Sequence, residues 1–128
     1  MNYLLDSHIL LWWIFSDKRL SENTKNLMAS PGNALYWSAA SSWEISIKYQ
    51  LGKLELKYPP EKMIPEHLRI NNINTLPIRD EHAFLAGRLP DIHSDPFDRM
   101  LAAQAIIERL KIISSDNVFS KYEVSTIT

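Results

Sequence analysis

Two short apolar runs, each followed by polar residues and an aspartate, place the strongest constraint on the fold. Tyr3-Leu4-Leu5-Asp6 opens the chain, and Ile112-Ile113-Ser114-Ser115-Asp116 lies near its end. Strands this apolar are typical of parallel sheets, in which both faces are buried. Helical segments separate the apolar runs, and parallel strands require such crossovers. The alternation therefore predicts an α/β domain in three layers, with a central, mainly parallel β-sheet flanked by helices.

A length of 128 residues predicts a single domain, 1–128, and the same alternation predicts its remaining elements. Further strands are expected over residues 34–38, 73–78 and 124–127, and Pro77 favours an edge position for the strand that contains it. Pro65 is expected to interrupt one helix. Helices or helical turns are expected over residues 9–14, 21–28, 43–52, 61–71, 80–89, 98–110 and 117–122.

The stretch Asp95-Pro96-Phe97-Asp98 has the composition of a helix start. Asp95 suits the N-cap, Pro96 the first helical position, and Asp98 the third position, where a carboxylate faces unpaired amides and the positive end of the helix dipole. Taken alone, Asp98 is explained by this position. Asp95 is explained fully by its cap role and is left outside the candidate site.

The predicted helix that contains Glu44 presents another acid. Trp43, Ile47 and Leu51 recur at helical spacing and are expected to face the core, which leaves Glu44 and Lys48 together on another face. The simple explanation of Glu44 is then a surface ion pair with Lys48 and a favourable charge in the first turn, after a serine N-cap.

The absence of cysteine and a formal net charge of −1 limit the possible functions. Without cysteine the chain has no disulfides, thiolate metal sites or cysteine nucleophiles, and carboxylates and imidazoles remain as metal ligands. The near-neutral charge provides no overall field that would draw the protein onto nucleic acid, so such contacts must be local. The longest apolar run, residues 9–15, is too short to cross a bilayer. Residues 1–6 show neither the basic region nor the small-residue cleavage site of a secretory signal, so we expect none. We expect a cytoplasmic protein that does not associate with membranes.

Four acids can meet at one edge of the predicted sheet. Asp6 and Asp116 end strands, whereas Glu44 and Asp98 begin helices, and open α/β sheets bind ligands at the carboxyl ends of their strands. A helix N-cap explains Asp6 equally well, and the cap of a short turn explains Asp116. Carboxylates ~8 Å apart repel by roughly 2 kcal/mol at an effective dielectric near 20. A shared site would therefore need a hard divalent cation such as Mg²⁺ or Mn²⁺.

The four acids stand in motifs that run in order along nearly the whole chain: Leu4-Leu5-Asp6-Ser7-His8 with Leu11-Trp12, Ser42-Trp43-Glu44-Ile45 with Lys48 and Leu51-Gly52-Lys53-Leu54, His93-x-Asp95-Pro96-Phe97-Asp98-Arg99 with Leu101 and Ala103-Gln104-Ala105, and Ser114-x-Asp116-x-x-Phe119. Together these motifs resemble those of the PIN-domain family. More narrowly, the chain is similar to the VapC-type toxins of bacterial toxin–antitoxin pairs. Serine stands at positions 7 and 114, where relatives often carry threonine, and it keeps the hydroxyl group.

The resemblance implies a small α/β fold and a Mg²⁺- or Mn²⁺-dependent endoribonuclease that hydrolyses RNA. It implies that Asp6, Glu44, Asp98 and Asp116 form the catalytic, metal-binding site. As a hypothesis, Asp6 and Asp98 ligate the ion directly, Asp116 ligates the same or a second ion, and Glu44 is a ligand or orients the attacking water. The resemblance also implies a homodimer, restrained by a cognate antitoxin whose tail covers the site.

Two other functions remain open from the residues. A catalytically silent PIN-like module could retain the same acids and bind RNA or a protein partner without cutting. A metal-dependent phosphohydrolase acting on small nucleotides would use similar ligands, but it would need a closed pocket with a base-stacking wall, which no segment indicates.

Several other side chains near the predicted site have simple structural explanations. His8 and His93 are expected to be structural, because hard cations prefer oxygen ligands. Lys48 and Arg99 could contact a substrate phosphate, although local charge pairing is favoured for both. The tryptophans are expected in the core or on a dimer surface rather than as base-stacking residues; they are Trp12, Trp13, Trp37 and Trp43.

Overall fold

The structure is a computed structural model that describes residues 1–91, 94–122 and 126–127, and five strands in these ranges form one sheet. The sheet order is β3-β2-β1-β4-β5, and each neighbouring pair of these strands is parallel. The parallel sheet predicted from the sequence is confirmed. The strands are β1 (Asn2–Leu5), β2 (Ala34–Ser38), β3 (Asn74–Leu76), β4 (Lys111–Ile113) and β5 (Thr126–Ile127).

Helices cover both faces of the sheet and complete three layers. Because side chains alternate along a strand, Tyr3 and Leu5 of β1 join one buried cluster, whereas Leu4 joins a second cluster on the opposite face. The first cluster contains residues of α1, α2, α3 and α4, and the second contains residues of α6 and the 3₁₀ helix. The helices are α1 (Ser7–Ile14), α2 (Glu22–Ala29), α3 (Ala39–Gln50), α4 (Pro60–Ile70), α5 (Asp80–Arg88), α6 (Pro96–Glu108) and a 3₁₀ helix, Asn117–Tyr122.

Several local predictions are confirmed. Asp95 is the N-cap of α6, and its Oδ1 accepts hydrogen bonds from the backbone N–H of Phe97 (2.8 Å) and Asp98 (3.1 Å). Ser21 caps α2 in the same way. The strand that precedes Pro77 lies at one edge of the sheet, and β5 lies at the other. Residues 124 and 125 of the predicted final strand lie outside the described residues.

Two helix predictions are wrong. The helix predicted from residue 43 begins at Ala39, because Ser38 is its N-cap, so Glu44 does not lie in the first turn. Pro65 does not interrupt α4, which runs through it. Buried side chains on both sides of the proline, Ile64 and Leu68, anchor this helix against the core, and their packing offsets the hydrogen bond that proline cannot donate.

The face that α3 buries is also the opposite of the one predicted. Trp43 is 63% exposed and Leu51 is 62% exposed, whereas Ile45 is buried and Glu44 is only 8% exposed. The inner face of α3 consists mainly of small and polar residues, so hydrophobic spacing alone selected the wrong side of the helix.

The other tryptophans contribute to the core, as expected. Trp37 is buried, and Trp12 and Trp13 pack against the same cluster. Within the ranges that the structure describes, no helix has both the length and the apolar content that crossing a bilayer requires.

Candidate active site

Asp6 lies where β1 ends and α1 begins. Its Oδ1 accepts the backbone N–H of Ser7 at 2.7 Å, and its Oδ2 accepts the hydroxyl of Ser114 at 2.7 Å. Its own N–H donates to the carbonyl of Ile113 in β4. Burial raises the pKa of Asp6, while the hydrogen bonds from Ser114 and Ser7 act in the opposite direction. The two explanations from the sequence are therefore compatible, since Asp6 ends a strand and caps a helix at the same time.

Glu44 approaches Asp6 from α3. Its Oε1 accepts the hydroxyl of Ser7 at 2.6 Å, and its Oε2 accepts Lys48 Nζ at 3.0 Å. The expected ion pair with Lys48 is present, but Glu44 is buried rather than on the surface. Ser7 thus donates its backbone N–H to Asp6 and its hydroxyl to Glu44, and the charge of Glu44 contributes to the raised pKa of Asp6.

Asp116 is connected to Asp6 through a second serine. The hydroxyl of Ser114, which donates to Asp6, accepts the backbone N–H of Asp116 at 3.0 Å. The side chain of Asp116 is exposed and accepts the backbone N–H of Val118 at 3.0 Å. The predicted cap role of Asp116 is therefore present, in a position one serine away from Asp6.

Asp98 is half-buried at the third position of α6. The residues that precede Asp98 and Glu44 in the chain touch each other, because the rings of Phe97 and Trp43 pack edge to face with their centroids 5.4 Å apart. This contact places the start of α6 against α3, the helix that carries Glu44.

A different group of metal-type ligands is the one that gathers most tightly in the described part of the chain. Ligand atoms of Glu81, His82 and Glu108 all lie within 4.8 Å of one another. Nδ1 of His82 accepts the backbone N–H of Arg79 at 3.0 Å, so Nε2 carries the hydrogen and donates to Glu108 at 2.8 Å. The guanidinium of Arg79 pairs with both glutamates. A cation bound there would have to displace Arg79, and we interpret this group as a link between α5 and α6.

The predicted secondary residues near the acids are engaged locally. Arg99 donates to the carbonyls of Ala86 (2.8 Å), Leu89 (2.9 Å) and Pro90 (3.0 Å), at the end of α5. His8 is exposed, and His93 lies outside the described residues.

Sequence reasoning assigned no role to the serines that connect the acids. Ser7 and Glu44 are 37 positions apart, and Asp6 and Ser114 are 108 positions apart, so no local pattern joins them. The sequence did offer one indication of these contacts, because a serine lies within two residues of an aspartate after each apolar run: Ser7 beside Asp6, and Ser114 two residues before Asp116.

The donors at this edge fit a hard divalent cation. Asp6 and Glu44 are buried and offer carboxylate oxygens as ligands, and a nearby cation would offset the cost of burying their charges. Ser41, one turn before Glu44, has a buried hydroxyl with no hydrogen-bond partner among the described atoms, which is compatible with a hydrated site. The four predicted acids do not form a group as tight as that of Glu81, His82 and Glu108, so their shared role stays a prediction.

Comparison with known proteins identifies the family. The family model described as PIN domain matches residues 3–124. The chain belongs to the PIN-domain family. The PIN-domain prediction made from the sequence motifs is confirmed.

A curated relative of this PIN-domain protein is Ribonuclease VapC16 of Mycobacterium tuberculosis, which is 37% identical over 65 residues. The match covers 51% of this chain and 45% of the relative, so it spans less than half of the relative's length.

Solved structures share the PIN fold across almost the whole chain. VapBC2 from Rickettsia felis, in a structure bound to a DNA fragment from its own promoter, superposes with a TM-score of 0.73 at 17% identity, over 99% of this chain and 98% of that chain. FitAcB from Neisseria gonorrhoeae has a TM-score of 0.67 at 16% identity, over 98% and 96%. A toxin–antitoxin complex from Klebsiella pneumoniae has a TM-score of 0.64 at 20% identity, over 98% and 96%. These structures establish the fold.

Proposed function

We propose that this PIN-domain protein is a Mg²⁺-dependent endoribonuclease, with Mn²⁺ able to substitute, and that it is the toxin of a toxin–antitoxin pair. The observation that carries the proposal is the buried pair Asp6 and Glu44, bridged by Ser7 and joined through Ser114 to Asp116. The similarity to Ribonuclease VapC16 and to the VapBC2 and Klebsiella pneumoniae toxin–antitoxin structures supports it.

The proposed ligands are Asp6 and Asp98, with Asp116 on the same or a second ion and Glu44 as a ligand or as the residue that orients the attacking water. When bound, the divalent cation supplies neutralisation of the carboxylates, a lowered pKa for bound water and polarisation of the phosphodiester. Asp98 is included because α6 packs against α3 through Phe97.

The chain's own residues prepare the acids for this role. Ser7 and Ser114 each hold one oxygen of a buried carboxylate and leave further lone pairs available. Lys48 donates to Oε2 of Glu44 at 3.0 Å and so helps to orient this side chain. Because these contacts already fix the side chains of Asp6 and Glu44, little reorganisation is required when RNA binds.

The proposed partners are RNA, a cognate antitoxin and a second copy of the chain, all in the cytoplasm. The structural similarity to VapBC2 and to the Klebsiella pneumoniae toxin–antitoxin complex supports the antitoxin as a partner. Exposed apolar side chains on α3 and at its C-cap support the homodimer, because contiguous apolar patches mark protein interfaces; they are Trp43, Ile47 and Leu51.

The test is cleavage by purified protein of structured RNAs and free nucleotides, with EDTA, Mg²⁺ or Mn²⁺. We expect the parental protein to cleave RNA, EDTA to abolish this cleavage and Mn²⁺ to restore it. The Asp6→Asn and Asp98→Asn variants should not cleave RNA. Glu81→Gln, which removes an acid from the other cluster, is the matched control and should retain activity.

The outcomes separate the three functions. Binding of RNA without cleavage indicates the silent module, and hydrolysis of free nucleotides alone indicates a phosphohydrolase. If Asp98→Asn cleaves RNA at the parental rate, the assignment of the site is wrong. Mapping of cleavage ends in total cellular RNA, after expression without the antitoxin, then identifies the target.

A further inference from the structure

Gln104 is an amide on α6 that is 0% exposed and hydrogen-bonded at both ends. Its Oε1 accepts the hydroxyl of Ser38 at 2.5 Å, and its Nε2 donates to the carbonyl of Pro77 at 3.2 Å. A buried amide costs free energy unless its groups are paired, so these bonds constrain where α6 can lie.

The chemistry of the partners fixes the direction of each hydrogen bond. The Pro77 carbonyl can only accept, so the NH₂ group of Gln104 must face it and Oε1 must face Ser38. The Ser38 hydroxyl must then donate to Gln104, and its oxygen accepts the backbone N–H of Ala40 at 3.0 Å. Gln104 therefore orients the hydroxyl that caps α3.

Gln104 and its two partners belong to the elements that carry the proposed site. Ser38 ends β2 and begins α3, the helix of Glu44, while Pro77 directly follows β3. Gln104 lies on α6, six residues after Asp98. The hydrogen bonds of Gln104 thus join the helix of Asp98 to the helix of Glu44 and to the carboxyl ends of two strands.

We propose that Gln104 is a positioning residue, which sets α6 against the start of α3 so that Asp98 and Glu44 can serve the same cation. This role rests on the proposed function. Gln104 contacts Ser38 and Pro77, and it acts on the acids through the helices that carry them.

Two substitutions test the role. Gln104→Met keeps the length of the side chain and removes both hydrogen bonds. Ser38→Gly removes the donor to Gln104, while glycine is tolerated at an N-cap. The measurements are Mn²⁺ affinity by electron paramagnetic resonance, kcat and KM on an RNA oligonucleotide, and thermal unfolding in EDTA.

We expect Mn²⁺ to bind about 10- to 100-fold more weakly in both variants, the size of effect seen when a residue supporting a metal ligand is removed. The value of kcat should fall by a similar factor, with KM for RNA changing by less than about threefold. The double variant should bind Mn²⁺ no more weakly than whichever single variant binds it more weakly, because both changes remove the same contact.

Ile112→Val is the matched control. It trims a fully buried side chain that packs in the same cluster as α6 but lies on β4, away from Ser38 and Pro77. It should lower the unfolding temperature while leaving Mn²⁺ affinity and kcat at the parental values.

The positioning role is refuted if Ser38→Gly and Gln104→Met unfold at lower temperature but keep parental Mn²⁺ affinity and kcat. If Gln104→Met does not fold, Ser38→Gly decides the question by the same criteria. Asp98→Asn serves as the reference for the proposed function. If Asp98→Asn binds Mn²⁺ with parental affinity, both proposals are overturned. If Asp98→Asn loses Mn²⁺ affinity while Gln104→Met keeps it, the positioning role alone is overturned.

Discussion

The replacement of Asp6 by asparagine should stabilise the metal-free protein. Burial is the largest cost of the charged carboxylate, and repulsion from Glu44, which faces it across Ser7, adds a smaller cost. Lys48, 3.0 Å from Glu44, offsets part of this repulsion, so we expect a net gain of about 1 kcal/mol in the free energy of unfolding. Asparagine can still accept the N–H of Ser7.

The pH dependence of stability should also show that the charged form of Asp6 destabilises the metal-free fold. Burial raises the pKa of Asp6, so the folded protein retains this proton to higher pH than the unfolded chain. The unfolded state therefore binds fewer protons in the interval above pH 3.8, and stability falls as pH rises through that interval. Asp6→Asn should remove this fall.

A divalent cation should reverse the order of stability. At a concentration 100 times its Kd, an ion that binds only the folded state stabilises it by about 2.7 kcal/mol. For a domain of this size, 1 kcal/mol corresponds to roughly 4 °C in Tm, so the parent should gain about 11 °C with Mn²⁺. Asp6→Asn should gain less than about 3 °C, because a direct ligand is missing.

Thermal unfolding, followed by circular dichroism in EDTA and in Mn²⁺, measures both effects. We expect Asp6→Asn to melt about 4 °C above the parent in EDTA and below it in Mn²⁺. Glu81→Gln should show the parental shift with Mn²⁺. A lower Tm than the parent in EDTA, together with an undiminished shift in Mn²⁺, would refute the reasoning.

Three further predictions concern separate contacts. Ser7→Ala should weaken Mn²⁺ binding about tenfold by calorimetry, since it frees one oxygen of Glu44, and Ser7→Thr should restore binding; equal affinity in both variants would contradict this. The hydrogen bond from His82 holds the pKa of Glu108 below its usual range. The charged carboxylate therefore stabilises the fold above pH 4.5, and this stabilisation is lost as pH falls through the lowered pKa of Glu108 in the folded state. Glu108→Gln should therefore lower stability in urea unfolding at pH 7 but not near pH 2, and an equal loss at both would exclude the ionic contribution. Leu51→Gln should convert the proposed homodimer to monomer in light scattering, because Leu51, the C-cap of α3, is 62% exposed beside Ile47 on the proposed dimer surface; an unchanged mass would place the dimer surface elsewhere.

Much of the fold could be predicted because the signals are local. Asp95 and Ser21 cap helices by accepting amides two or three residues away, so adjacent residues determine those helix starts. The apolar run in β1 predicted burial on both faces, and the alternation of strands and helices required a parallel sheet.

The start and face of α3 could not be predicted in this way. Serines at positions 38, 41 and 42 all offer a possible cap, and only the packing of β2 and the hydrogen bond to Gln104 select Ser38. The apolar spacing of Trp43 and Leu51 then indicated the wrong buried face, because burial of Glu44 depends on a partner far away in the sequence.

The sequence by itself therefore determined the order of the elements and the caps with local partners, and it predicted the acids of the site. Only the tertiary structure decided that Ser7 joins Asp6 to Glu44 and that Ser114 joins Asp6 to Asp116. The physical reason is that caps and periodic faces form within a few residues, whereas hydrogen bonds between distant side chains exist only once the strands are aligned in register.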